Sequence, residues 1–374
     1  MTSTPDGRWF AGLMSGTSLD GTDAVLLRLT GDRPSQLRHL YHPFSSDLRQ
    51  RLLALQNDSY GDLGLAAVAA RDLADHYADT LNTLLAHCSI PAIAVCAVGA
   101  HGQTVRHRPE LGYTVQLLDG ARLAQRCGVL TVCDFRSGDI AAGGQGAPLV
   151  PAFHAAMFSP EDNGDNAALC VVNIGGMANL TVLRRDTPTP VIGFDVGPGN
   201  VLLDAWVQRH RGEPYDREGA WAAGGTVDEA LLRHLLGHPF FQLAPPKSCG
   251  REQFDVHWLD RVDGLDALAP QDVQATLAQL TAQSIADAVR QQGRTATLLL
   301  CGGGAHNADL AKRLRNCLPG ITVETTASRG IDPQQVEAAA FAWLAMRRIE
   351  GLPGNLPAVT GARSARVLGA IYAV

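Results

Sequence analysis

Short apolar runs of strand length alternate along this chain with longer segments that carry apolar residues at helical spacing. The first two runs are Trp9-Phe10-Ala11-Gly12-Leu13-Met14 and Ala24-Val25-Leu26-Leu27, each short enough to be a buried strand. Between them lies Ser15-Gly16-Thr17-Ser18-Leu19-Asp20-Gly21-Thr22-Asp23. Asp20-Gly21 predicts a tight hairpin turn, because glycine accepts the positive φ such turns require. Leucines and alanines recur at helical spacing over 51–87, and further strands are expected at 93–98, 113–117, 129–133, 167–174, 180–183, 191–194 and 296–301. Helices are expected over 119–127 and from Pro148 at N1 to about 158. Another runs from Asn200 as N-cap to Arg211, closed by Gly212, and a long one covers 271–292, ended by Gly293. A helix follows the 302–307 segment to 318, and one more starts at Asp332, with Pro333 at N1 and Gln335 at N3, and stops at Gly351.

Alternating strands and helices make an α/β protein. The strand, glycine turn, strand pattern of the N-terminus returns about 160 residues later at Gly175-Gly176, which suggests a duplicated architecture. At 374 residues two domains are the default expectation. They are placed at 1–145, joined by the tail 356–374, and at 146–355, with a polar linker at 160–166.

Composition is ordinary for a globular chain, 46% hydrophobic and 18% charged, so it leaves that picture unchanged. A net charge of −6 without a basic run argues against nonspecific nucleic-acid binding. Lysine occurs only at Lys247 and Lys312, so anionic ligands must be neutralised by arginine, metal or helix ends. The polar start and strand-length apolar runs predict neither a signal peptide nor a membrane span, hence a cytoplasmic protein. The eight cysteines show no C-x-x-C spacing; they read as buried thiols in a reducing compartment, with no cysteine metal site.

Three glycine-rich turns follow apolar strands: 16–23, Gly175-Gly176 and Gly302-Gly303-Gly304. Ligands in α/β sheets collect at the carboxyl ends of strands. No P-loop signature and no dinucleotide loop between strand and helix are present, which leaves a grip of the two-hairpin kind. In the first turn, Gly16 and Gly21 let a phosphate approach the backbone, with the hydroxyls of Thr17, Ser18 and Thr22 close by. Leu19, Asp20 and Asp23 complete it, and Asp20 is the candidate ligand for a hydrated Mg2+. A bland hairpin would need neither the repeated hydroxyls nor two aspartates.

Asp195 is the candidate general base, since it ends an apolar run beside Gly197-Pro198-Gly199, where N–H groups would favour its ionised form. The alternative is a carboxylate that caps the helix at Asn200. His101-Gly-Gln103-Thr and Asp134-Phe-Arg136 follow strands and offer donors for sugar hydroxyls or a carboxylate, which Arg136 could grip in bidentate fashion. Read singly, each is equally a structural turn. Glu337 reads first as a solvated helix residue, and Lys247 has no assigned role.

Taken together the motifs resemble those of the anhydro-N-acetylmuramic acid kinases. They run in order as Gly12-Leu-Met-Ser-Gly-Thr-Ser-Leu-Asp-Gly-Thr-Asp23, Gly99-Ala-His-Gly-Gln-Thr-Val105, Asp134-Phe-Arg136 and Ala142-Gly-Gly-Gln-Gly-Ala-Pro-Leu-Val-Pro151. Asn173-Ile-Gly-Gly-Met-Ala-Asn179, Gly193-Phe-Asp-Val-Gly-Pro-Gly-Asn200, Pro246-Lys-Ser-Cys-Gly-Arg-Glu252 and Cys301-Gly-Gly-Gly304 follow. Cys249 and Val196 are small departures from the pattern. The resemblance implies two related actin/hexokinase-like ATPase domains with ATP and sugar in the cleft between them. It implies ATP-dependent opening of the 1,6-anhydro ring of a cell-wall recycling sugar, 1,6-anhydro-N-acetylmuramic acid, with phosphorylation of O6. Asp195 would then be the catalytic base. The segment 16–23 and Gly175-Gly176 would serve the phosphates and Mg2+, and Gly302, Gly303, Gly304 and Asn307 the adenosine. His101, Gln103, Arg136, Gln145, Gly197 and Glu337 would be sugar contacts, and a homodimer is expected. The rivals are an ordinary sugar or carboxylate kinase of the same superfamily and a nucleotide-regulated binding or chaperone ATPase, for which no peptide-binding appendage is visible. A glycosidase would leave the phosphate turns unexplained.

Overall fold

The computed structural model describes residues 7–16, 19–31, 33–56, 62–158, 167–185, 187, 189, 191–245, 247–250 and 253–374. Thr17, Ser18, the linker 160–166 and residues 246, 251 and 252 of the lysine-serine segment lie outside them. The chain divides into two compact units, Met1–Met157 with Gln335–Val374, and Phe158–Gln334.

The first unit is built on β1 (Arg8–Met14), β2 (Gly21–Thr30), β3 (Arg33–Pro43), β4 (Val95–Ala100), β7 (Thr131–Cys133) and β13 (Ala370–Tyr372). A separate hairpin comprises β5 (Gln103–Arg108) and β6 (Tyr113–Leu117). The six-stranded sheet has the order β13-β7-β4-β1-β2-β3. β1, β2 and β3 form an antiparallel meander, while β4 and β7 run parallel to β1. Parallel pairing requires a crossover, and the helices Ser46–Gln56 and Leu63–Cys88 supply it between β3 and β4. In the second unit β8 (Ala168–Ile174), β9 (Met177–Leu183), β10 (Val191–Pro198), β11 (Thr295–Cys301) and β12 (Thr322–Thr325) take the order β10-β9-β8-β11-β12. Again the first three strands are antiparallel and the last two parallel to the first. Setting aside the edge strand β13, both sheets read third-second-first-fourth-fifth, so the duplicated architecture is present.

Each sheet is buried by helices whose apolar stripes match its faces. Leu73, Tyr77 and Leu81 of Leu63–Cys88 pack with Ala11, Leu13, Ala24 and Leu26 of the first sheet. The helix Val336–Ile349 packs on β1 and β4, and its small residues fit glycines there. A Cβ on Gly12 would stand 1.8 Å from the Ala338 carbonyl oxygen, and one on Gly99 2.0 Å from that of Phe341. This fit corrects the expected boundary: Val336–Ile349 and Val150–Met157 lie in the first unit, whereas the sequence reading put 146–355 in the second domain. In the second unit the helix Pro270–Arg290 serves two layers. Ile285 and Val289 pack with Val172, Leu180 and Leu298 of the sheet. Val273, Leu277 and Leu280 pack with Leu203, Trp206, Leu231 and Leu235 of the helices Val201–Arg211 and Glu229–Leu236. Each such buried side chain contributes about 1.5–3 kcal/mol of transfer free energy.

Three local expectations are corrected. Asp20-Gly21 is not a two-residue turn, because β2 begins at Gly21 and the connection spans Ser15 to Asp20. The positive φ falls on Leu19, at 57°. Gly21 is needed for a different reason, since a Cβ there would meet the His42 carbonyl oxygen of β3 at 2.4 Å. Pro148 precedes the helix Val150–Met157 rather than opening it. Asn200 stands at the N-cap of Val201–Arg211 without a side-chain cap; its amide donates instead to the Ile174 carbonyl at 3.2 Å.

Candidate active site

Asp195 lies in β10 at a break in register with β9, between Asp195 and Gly197. One of its carboxylate oxygens accepts the backbone N–H of Cys249 at 3.0 Å, and its own N–H donates to the Lys247 carbonyl at 3.1 Å. Lys247 in turn donates to the Phe240 carbonyl at 3.2 Å and lies 4.6 Å from the centre of the Phe240 ring. The lysine therefore staples the segment that aims the carboxylate, a role sequence reasoning did not find. Burial raises the Asp195 carboxyl to about 6, and the Cys249 N–H pulls the other way. The expectation that neighbouring N–H groups favour the anion is thus corrected: among the described residues the Cys249 N–H does so, and desolvation outweighs it. Nor does Asp195 cap the following helix.

The two other glycine turns of this unit are interlocked with their surroundings. The carbonyls of Gly175 and Gly176 accept N–H groups of Gly199, Asn200 and Val201 at 2.8–3.1 Å, joining the β8–β9 turn to the start of a helix. Gly197, at φ 138°, stands where a Cβ would be 2.7 Å from the Phe241 ring. Gly302, at φ 76°, and Gly304 press against the end of β8, where Cβ atoms would fall 2.2 Å from Asn173 Oδ1 and 2.3 Å from Ile174 Cγ2. Around Gly303 there is open space. Asn307 is the N-cap of Ala308–Cys317, accepting the Leu310 N–H at 2.9 Å. Its Oδ1 is therefore engaged by the helix it caps.

In the first unit, Asp20 is largely exposed with Arg49 4.0 Å away, whereas Asp23 lies on β2 and pairs with His39 at 2.7 Å. Thr22 is buried in β2. The loop between β1 and β2 is held from beneath. Ser15 Oγ donates to Gln103 Oε1 at 2.8 Å, the Tyr77 hydroxyl is 2.7 Å from Ser15 Oγ, and Gln103 Nε2 donates to the Gly16 carbonyl at 3.4 Å. Among the described residues no group of three or more His, Cys, Asp or Glu side chains is placed to hold a metal ion.

His101, Arg136, Asp139 and the glycine-rich segment form a second cluster. Arg136 donates to His101 Nε2 at 3.0 and 3.2 Å and to the Gly146 carbonyl at 2.8 Å. A guanidinium has no acceptor, so His101 must be neutral with its proton on Nδ1. Burial and then Arg136 hold the imidazole well below its ordinary range, with the Gly102 backbone opposing them. Nδ1 is buried without a hydrogen-bond partner among the described residues. Burial lowers Arg136 to about 10, with Glu337 and then Asp139 opposing the shift. Glu337 is thus half-buried and electrostatically coupled to Arg136, beyond the solvated residue first read.

Asp139, fully buried, accepts from Gly146 N–H, Asn355 Nδ2 and Thr360 Oγ1 at 2.6–2.7 Å. Gln145 is exposed, and its N–H donates to the Thr360 carbonyl at 2.7 Å. Nothing in the sequence marks Asp139, because its partners Asn355 and Thr360 come from the far end of the chain.

The family model for anhydro-N-acetylmuramic acid kinase matches residues 8–374. Relatives bearing that name include one from Bordetella petrii, 53% identical over 99% of this chain and 97% of its own length. Others come from Cupriavidus pinatubonensis, 51% identical over 98% of each chain, and Thiobacillus denitrificans, 50% identical over 99% of this chain and 98% of its own. With the motifs in order and both sheets in place, the chain belongs to the anhydro-N-acetylmuramic acid kinase family.

Proposed function

We propose that this chain converts 1,6-anhydro-N-acetylmuramic acid and ATP to N-acetylmuramic acid 6-phosphate and ADP, with Asp195 as the base. The observation that carries the reading is the Asp195 carboxylate, held by Cys249 and raised by burial to a value where a base accepts protons near neutrality. Asp195 takes a proton from water as the water oxygen bonds to the anomeric carbon and the C1–O6 bond breaks. O6 then takes the γ-phosphoryl group and ADP leaves. Charge neutralisation and positioning supply most of the barrier reduction in phosphoryl transfer.

The loop over 16–23 would take the phosphates. Asp20 fits a hydrated Mg2+, because this ion needs only one or two carboxylates beside waters and phosphate oxygens, and the Asp20 side chain is exposed. Bound there, Mg2+ would neutralise phosphate charge. Gly303, with open space around it, suits close approach of the adenosine. The Nδ1–H of His101, without a hydrogen-bond partner among the described residues, is a buried donor suited to a sugar oxygen, and Glu337 couples electrostatically to Arg136 in the same cluster. Arg136 is held by its bonds to His101 Nε2 and the Gly146 carbonyl, which fix a buried cation in this cluster for a sugar oxygen. Among the described residues no helix is long and apolar enough to cross a membrane. A cytoplasmic homodimer completes the proposal, with light scattering to test its second half.

Mass spectrometry of the product formed from the anhydro sugar, MgATP and 18O-water tests the chemistry. One 18O at C1 with phosphate on O6 is expected. Equal phosphorylation of an ordinary reducing sugar, or no label at C1, would overturn the reading in favour of a plain sugar kinase.

A further inference from the structure

We propose that Tyr77, Ser15 and Gln103 act as one positioning unit for the β1–β2 loop, and that they set nucleotide affinity rather than sugar affinity. The inference rests on the reading of that loop as the phosphate contact. Tyr77, Ser15 and Gln103 are 0%, 1% and 1% exposed, and they come from the helix Leu63–Cys88, the residue just after β1 and the start of β5. Proton counting fixes the direction of each bond. Gln103 Oε1 can only accept, so the single Ser15 hydroxyl proton is committed to it, and Tyr77 must donate to Ser15 Oγ. The Tyr77 hydroxyl also stands 3.4 Å from the Gly102 carbonyl, on the same side as Gln103. Gln103 then spans the loop entrance, with Oε1 on Ser15 and Nε2 on the Gly16 carbonyl at 3.4 Å.

Both polar ends of Gln103 are therefore used inside the protein, which moves it from the expected sugar contacts to the support of the loop. These buried uncharged groups are satisfied by one another and by the first residues of the loop. Such a network is stable only as a complete set, so it fixes the backbone conformation leaving Ser15. Phosphate binding by backbone N–H groups depends on that conformation being set before the ligand arrives.

The test is titration of the whole enzyme with a non-hydrolysable ATP analogue and Mg2+, beside steady-state kinetics. Tyr77→Phe removes one oxygen and keeps the ring. It is expected to raise the analogue Kd and the ATP KM by about 3- to 10-fold, the usual range for one hydrogen bond, with the sugar KM changed by less than about twofold. Ser15→Ala, at the loop itself, should give the same signature even if Tyr77→Phe folds poorly. The double variant should be no weaker than the worse single one, as for members of one network. Unchanged nucleotide affinity in these variants, or a rise confined to the sugar KM, would overturn the inference while leaving the proposed reaction standing. A wild-type enzyme that binds no nucleotide would overturn the phosphate reading itself, and this inference with it.

Discussion

Asp195 and Cys249 are joined by a 3.0 Å hydrogen bond from backbone to carboxylate, and the chain between them makes a second contact, Asp195 N–H to the Lys247 carbonyl. The carboxylate is supplied by a strand but aimed by a segment some fifty residues later in the chain. Two opposed influences meet at it. Removal from water favours the neutral acid, the Cys249 N–H favours the anion, and the first prevails at a value of about 6.

A base with that value loses activity as it gains a proton. The acid limb of kcat/KM is expected to fall with an apparent pKa near 6, reflecting the free enzyme. Asp195→Asn should lower kcat by at least ~10²-fold with ATP affinity largely kept. A pH–rate profile flat from 5 to 8, or an active Asp195→Asn enzyme, would place the base elsewhere.

The same shift acts on stability. The folded value lies above the unfolded one, so between about pH 4 and 6 the native state holds more protons than the unfolded chain, and stability falls as pH rises. Above pH 6 the cost of the buried charge is complete, on the order of 2–3 kcal/mol. Asp195→Asn keeps an acceptor for Cys249 and removes that charge. It should melt higher than wild type at pH 8, with the difference gone near pH 4. A variant that melts lower at pH 8 would show that the carboxylate is not effectively desolvated.

Lys247 carries the third expectation. Its ammonium holds the Phe240 carbonyl and ring, and replacing it with methionine keeps length and apolar bulk while freeing the 247–249 segment. If the Cys249 N–H withdraws, Asp195 loses an interaction that favours its anion, so the acid limb of Lys247→Met should move upward from 6. kcat should drop by about 3- to 30-fold, the scale of losing one or two positioning bonds. An unmoved acid limb would mean that the segment holds its place without the lysine.

Much of this was legible in the chain, for identifiable reasons. β1, β6, β8, β9, β10 and β11 are apolar runs bounded by turn residues, and the helix Pro270–Arg290 carries a clear apolar stripe. β3 was missed because its sequence, Arg33-Pro-Ser-Gln-Leu-Arg-His-Leu-Tyr-His-Pro43, is a polar edge strand held by pairing with β2. β5, with two arginines and a histidine in six residues, was missed for the same reason. Asp195 was visible at the end of an apolar run. The groups that aim or support the site were not, since Asp139, Tyr77 and Lys247 act through partners far away in sequence. Spacing conveys local chemistry, and such pairings exist only in the fold.

Asp139 makes that point testable. All three of its close partners donate, which an acceptor-only carboxylate satisfies and an amide cannot. Asp139→Asn sets at least one N–H against another donor, a cost on the order of 2–4 kcal/mol in so buried a place. Because Gly146 donates its N–H to Asp139 and accepts from Arg136 at its carbonyl, the disturbance should reach the Arg136–His101 pair. Thermal unfolding should show a lower midpoint, and kinetics a higher sugar KM with the ATP KM little changed. An ATP effect alone would detach this cluster from the sugar.

Gly12 and Gly99 face each other across β1 and β4 in register, and the backbone of Val336–Ile349 rests on both. The atoms a methyl group would meet are carbonyls at 1.8 and 2.0 Å, which cannot rotate aside as a side-chain tip can. Gly12→Ala or Gly99→Ala must therefore lift the helix from the sheet, at a cost of about 3 kcal/mol or more. Gly303 offers the contrast, with no positive φ and open space around it. Gly303→Ala should leave the melting temperature within experimental scatter and weaken ATP binding where the adenosine would approach. Measured side by side, the two kinds of variant separate glycines kept for packing from one kept for a ligand. A stable Gly12→Ala protein would refute the packing argument, and unaltered ATP affinity in Gly303→Ala would move the adenosine away from this turn.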